Sequence, residues 1–137
     1  MQDKNRIDWL KIIGYFSIPF SVYLFNYALF FIGTYDVLKW IDIPMHFLGG
    51  DSVAIAIFLT LSHFEKKKIL YLNKPSKILF IVSLVALIAV LWEFYEFSLE
   101  HFTGFDFQGT LRDTMEDLFL GILGGFLSAI TMVFSEK

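Results

Sequence analysis

The sequence predicts an all-α integral membrane protein, a four-transmembrane-helix bundle with both termini on the cytoplasmic side (N-in/C-in). Three observations predict it. The chain has 137 residues, of which 56% are hydrophobic and 19% aromatic, too apolar for an ordinary soluble domain. Its apolar residues gather into four runs, each near the roughly 20 residues with which a helix crosses a bilayer. None of these runs alternates with the two-residue period of a strand. The length predicts one integral membrane domain over residues 1–137. There is no internal repeat, no low-complexity tract and no room for a separate soluble domain.

The first span runs from about Leu10 to Ile32, with a kink expected at Pro19. It has no A-x-A type cleavage site and reads as a retained helix rather than a signal peptide. The second runs from about Pro44 to Ser62 and opens with DIPMHFLGGD. Pro44 suits a first helical turn, so Asp42 stands just outside the helix or caps it, and His46 lies about one turn in. Gly49 and Gly50 follow His46 at i+3 and i+4 and allow another helix to come close. The third span covers about Lys77 to Leu99, and the fourth about Asp113 to Phe134. Thr110 and Asp113 form a capping box at the start of the fourth. Gly121, Gly124 and Gly125 give that helix a small-residue face.

Charge placement sets the topology. Lys66, Lys67, Lys68, Lys74 and Lys77 sit in or beside the link between the second and third spans, and Lys4, Arg6, Lys11 and Lys137 lie near the termini. Nine of the eleven basic residues therefore fall on one side, leaving Lys39 and Arg112 opposite. The positive-inside rule makes the lysine-rich 63–77 link and both termini cytoplasmic. The acids divide the other way. Asp3, Asp8, Glu65 and Glu136 are inside, and the remaining ten, with His46 and His101, lie in the outer loops or outer helix halves. The outer side then carries about −8 and the inner about +5, which reproduces the net −3. The four apolar spans make the bilayer the expected partner, and nucleic acid is not expected.

The outer acids include residues too deep to be ordinary surface charges. The third span ends in LWEFYEF, and Glu93, Glu96 and Glu100 stand at i, i+3 and i+7, within about 60° on one helical face. They occupy a helix C-terminus, where the macrodipole favours cations. Glu93 lies about 12 Å in from the helix end, and a charge at the centre of a membrane helix costs on the order of 3 kcal/mol unless it meets a partner or water. His46, a ready proton carrier and metal ligand, sits among acids from three helices. On the fourth span Asp113 and Asp117 have the i, i+4 spacing with which two carboxylates hold one cation, although capping alone accounts for Asp113. Asp42, Asp51 and Glu116 are secondary candidates; Asp51 lies about 140° around its helix from His46, facing the same pocket or Asn26. Arg112 neutralises this region, grips an anionic head group or makes an interfacial salt bridge. Trp9, Trp40, Trp92 and Tyr95 suit interfacial belts, and the hairpin 103–109 is either a lid over the acids or a membrane-dipping turn.

The order of Asp42-x-x-x-His46 opening a helix, Trp92-Glu93-x-x-Glu96 closing one, and Asp113-Thr-x-x-Asp117 before a glycine-rich stretch resembles the VanZ-like and YjdF-like small bacterial membrane proteins. The resemblance spans roughly Asp42 to Gly125. It implies a shared polar site made of His46, Glu93, Glu96, Asp113 and Asp117, and a role at the cell envelope.

These residues predict an extracytoplasmic pocket for a divalent cation. Carboxylates and imidazole without thiols suit Mg, Mn, Ca, Zn or Fe and do not separate them. The absence of Cys removes disulfides, thiolate metal sites and a Cys nucleophile. Such a pocket would act on, or sense, a lipid, lipid-linked or cell-envelope ligand. The alternative is a proton- or cation-linked transport protein using the same groups as a relay. No nucleophile–base pair is evident, Ser98 and Thr114 being ordinary polar residues near the cluster, so an enzyme and an accessory protein fit equally, in any oligomeric state.

Overall fold

The computed structural model describes residues 7–105 and 107–136. Asp3, Lys4, Arg6, Asp106 and Lys137, used above in the charge argument, lie outside the described residues. The described elements are all helical: α1 (Trp9–Tyr15), α2 (Ser17–Phe31), α3 (Thr34–Val37), a 3-10 turn (Lys39–Ile41), α4 (Asp42–Lys66), α5 (Lys74–Thr103) and α6 (Leu111–Ser135). Among them are four spans long and apolar enough to cross a membrane, with α1 and α2 together making the first.

The expected kink falls just ahead of Pro19. The helix breaks at Phe16, and Pro19 sits in the first turn of α2, a position that tolerates its missing N–H. The Ser17 hydroxyl donates to the Gly14 carbonyl across the break at 2.7 Å. The other spans outrun their apolar runs because polar residues continue the helices. α4 takes in Asp42 at its start and Lys66 at its end. α5 begins behind Asn73, whose side chain accepts from the Ser76 N–H, and ends at Gly104 in the left-handed region. At 30 residues, α5 is about 45 Å long, against a hydrocarbon core of about 30 Å. Its ends therefore reach the polar layers.

Large apolar side chains such as Phe25, Phe80, Leu91 and Phe119 are exposed. In a bilayer they meet lipid, so burial cannot drive the helices together as it does in water. Close packing replaces it. α4 is central and packs most extensively on α6, which also packs on α5, while α2 leans on α4. The α4–α6 seam is glycine against backbone: a Cβ on Gly50 would strike the Gly121 carbonyl, and one on Gly124 would strike the Phe47 carbonyl. A Cβ on Gly125 would come within 2.6 Å of Val85 Cγ1 on α5. Below this seam a small core of Ala54, Ile57, Leu61, Ile81, Val85, Ala129 and Val133 joins α4, α5 and α6.

One end of the bundle closes on a buried cation. Lys77 is 2% exposed, and its Nζ lies 2.6 Å from Glu65 Oε2 and 2.7 Å from Glu136 Oε2. It also donates to Ser62 Oγ at 3.3 Å and lies 4.8 Å from the Phe58 ring centroid. Lys77 belongs to the lysine-rich link in sequence but to the protein interior in space.

Candidate functional site

At the opposite end, α4, α5 and α6 contribute ionisable side chains to one volume. Asp42 and His46 are one turn apart on α4, and His46 Nε2 lies 3.3 Å from Asp42 Oδ1. Asp117, nearly two turns into α6, faces the same nitrogen at 3.7 Å. One ligand atom from each of Asp42, His46 and Asp117 lies within 4.8 Å of the other two. α5 adds Glu93 and Glu96, which are 5% and 9% exposed, while Asp117 is 6% exposed. Among the described residues no Lys or Arg forms an ion pair with Asp42, Glu93, Glu96 or Asp117. Oε2 of Glu93 has no hydrogen-bond partner there either. Buried polar atoms are nearly always bonded, so this oxygen marks a place where the fold alone does not complete the chemistry.

Two adjoining cavities meet this cluster. The inner, of about 320 Å³, runs between α2, α4 and α5 and is lined at its polar end by Asn26, His46, Glu93 and Asp117. The outer, of about 450 Å³, is lined by Asp42, Glu96, Asp113, Tyr35 and Lys39. Trp92 and Asn26 line both. The loop after α5 covers the outer cavity: Phe107 stacks on Phe30 with centroids 4.6 Å apart, and the Gln108 N–H donates to Glu100 Oε2 at 3.1 Å. Of the 103–109 hairpin, Phe107, Gln108 and Gly109 line that cavity, and Asp106 lies outside the described residues.

An aromatic and amide wall on α2 and α3 completes the enclosure. The Tyr35 hydroxyl donates to Asn26 Oδ1. Burial first, then the negative charges of Asp42, Glu96 and Asp117, push the Tyr35 phenol above its ordinary pKa. The Tyr23 and Tyr27 hydroxyls both meet the Tyr95 hydroxyl, and the Tyr23 and Trp92 rings meet edge to face at 5.7 Å. Trp92 and Tyr95, expected at an interfacial belt, are therefore engaged with α2 inside the bundle.

The structure brings together His46, Glu93, Glu96, Asp117 and Asp42. Asp113 lies at the edge of the outer cavity, and its Oδ2 accepts from the Thr110 N–H at 2.8 Å and hydroxyl at 2.7 Å, so capping engages it. Asp51 accepts a hydrogen bond from Ser128 on α6, while Asn26 is taken by Tyr35. Glu116 pairs with Arg112 at 2.8 Å with both side chains largely in the open, away from the pocket. Thr114 stands beside Glu93, whereas Ser98 turns back to the Phe94 carbonyl. Sequence reasoning did not assign Tyr23, Tyr27 or Tyr35 to the site; the polar Tyr23, Asn26 and Tyr27 on one stripe of an otherwise apolar span was the available signal.

Residues 7–137 match the model of a family described as "Predicted membrane protein (DUF2238)". No curated protein and no solved structure matches the chain.

Proposed function

The chain belongs to that family of predicted membrane proteins, and on that premise we propose that Asp42, His46 and Asp117 form a divalent-cation site at the extracytoplasmic face. The observation that carries this reading is the convergence of one ligand atom from each residue within 4.8 Å. Donors held by an ion at about 2.1 Å stand about 3.0–3.4 Å apart at octahedral or tetrahedral angles. His46 Nε2 is 3.3 and 3.7 Å from its two carboxylate neighbours, so a small inward shift brings the donors to coordination distance. Two carboxylates and an imidazole suit Mg, Mn, Ca, Zn or Fe. Glu93 and Glu96 stand behind as further ligands or as acceptors for the proton of a bound water.

The positive-inside rule supplies the sidedness, and the VanZ-like resemblance supports a lipid or envelope-linked ligand as the object of the site. Since the chain lacks Cys, single cysteines report topology cleanly. An impermeant thiol reagent added to intact cells should label Phe105→Cys and leave Tyr71→Cys untouched; the reverse pattern would invert the bundle.

Elemental analysis of the protein purified in mild detergent tests the cation. Near-stoichiometric metal, lost in His46→Ala and Asp117→Asn while both variants stay folded, is the expected result. Absence of metal after supplementation would turn the same residues into the alternative proton relay, for which an imidazole between carboxylates is also suited.

A further inference from the structure

The inner cavity has a shape that an ion does not need. On α5 it runs from Glu93 down to Val85, about 12 Å along the helix. On α4 it runs from His46 to Val53, and on α2 from Asn26 to Phe20. In each helix the ionisable or amide residue is at the same end; toward the other, apart from Ser52, whose hydroxyl donates to the Gly49 carbonyl, the lining is hydrocarbon. Phe20 and Ile88 line the cavity and are also exposed on the outside of the bundle. They mark an opening between α2 and α5, where α2 leans on α4 and reaches α5 through the Tyr23–Trp92 ring contact. In a membrane that opening faces lipid. Its volume of about 320 Å³ lies within the range of about 300–1,000 Å³ of pockets that enclose small ligands.

The polar end specifies the complement. Glu93 is 95% buried, being 5% exposed, lines the cavity, and carries the unpartnered Oε2. Asp117 is also in the cavity wall, and no Lys or Arg lines that cavity; its one basic side chain, His46, already faces Asp42 and Asp117. A carboxylate or phosphate head would add negative charge to this acidic end, whereas an ammonium brings both charge and N–H donors.

We propose that the cavity binds an amphiphile with one hydrocarbon chain and an amine head, entering from the bilayer between α2 and α5 and placing its nitrogen against Glu93 and Asp117. The chain fills the space between Phe20, Val53 and Val85. This extends the reading of the same end of the bundle and does not require the cation.

Gly49 provides the test, because it lines the cavity and a Cβ there meets nothing within 4 Å. Gly49→Leu fills the cavity without touching the α4–α6 seam; Val53→Phe does so from a second position. The full chain carrying Trp9→Phe and Trp40→Phe keeps Trp92 as its sole indole. In phosphatidylcholine nanodiscs it is titrated with a long-chain primary amine brominated along its chain, and with the matching alcohol, carboxylate and phosphate monoester. Saturable quenching of Trp92 by the amine is expected, lost in both filled variants and weakened at least tenfold by Glu93→Gln. Linear quenching, unchanged in the filled variants, would show partition into lipid alone and overturn the proposal. Tighter binding of the carboxylate or phosphate would overturn the head-group assignment. Each titration is run with chelator and, separately, with Mn²⁺ uptake measured directly. Amine binding without Mn²⁺ uptake sinks the cation reading alone, and Mn²⁺ uptake without amine binding sinks this proposal alone.

Discussion

The two ends of the bundle use the same kinds of residue to opposite effect. At the Lys77 end a buried ammonium meets two carboxylates and a hydroxyl, and Ser62 in turn donates to Glu136 at 3.0 Å. Each charge has a partner from another helix or from the C-terminal end of α6, so the set ties α4, α5 and α6 together. At the His46 end Asp42, Glu93, Glu96 and Asp117 surround one imidazole, and a buried carboxylate oxygen is left over. The first arrangement pairs every charge it contains, although the nearby His63 Nε2 is buried without a hydrogen-bond partner. The second is short of positive charge, and a buried charge left uncompensated is expensive. Charge balance therefore separates a structural clasp from a site that awaits something, although burial alone would rank the two ends alike.

The largest break in this comparison comes from Lys77→Met. Removing one partner of a buried ion set leaves the others uncompensated, at roughly 3 kcal/mol or more, and thermal unfolding in detergent should show a clear loss. Adding Glu65→Gln and Glu136→Gln should recover much of it. If Lys77→Met were harmless, the clasp would not be holding the helices.

The His46 end should answer in the other direction. Glu93→Gln and Asp117→Asn remove unbalanced charge, so stability should hold or rise by about 1 kcal/mol while cation uptake falls. A large loss of stability in both would make this end a second clasp.

The smallest effect concerns pH. Burial works against Glu136, but hydrogen bonds from Lys77 and Ser62 together with the Lys77 charge hold its carboxyl below the ordinary value of 4.5. The unfolded chain then binds more protons near that pH, so the contribution is present at neutral pH and above 4.5. It is lost as pH falls through the lower folded value. Unfolding midpoints measured from pH 6 to pH 3 should show this decline in the wild type and a flatter course in Glu136→Gln.

Much of this was legible from local spacing. Four long apolar runs require helices, Asp42 and His46 share a face at i, i+4, and the depth of Glu93, Glu96 and Asp117 is read by counting residues. What was hidden depends on how one helix is rotated against another. Lys77 reads as one more loop lysine because its partner Glu136 is 59 residues away. Asp51 lies near His46 in sequence, yet helical rotation turns it to Ser128. Tyr35 and Asn26 find each other only because the chain reverses at Gly33, whose positive φ of 73° sets the turn. Membrane helices have few strong amphipathic faces to reveal such rotations, since lipid accepts apolar residues all round.

The glycine seam gives the His46 end its mechanical character. Gly50 lies one turn below His46, and Gly121 one turn below Asp117, and these two glycines meet without side chains between them. The gap between imidazole and carboxylate is thus gauged by two main chains in contact, like the jaws of a caliper, and side-chain rotation alone can adjust it only a little. Donors 3.3 and 3.7 Å apart would suit an ion at about 2.3–2.6 Å as they stand, whereas one held at about 2.1 Å would require the jaws to close.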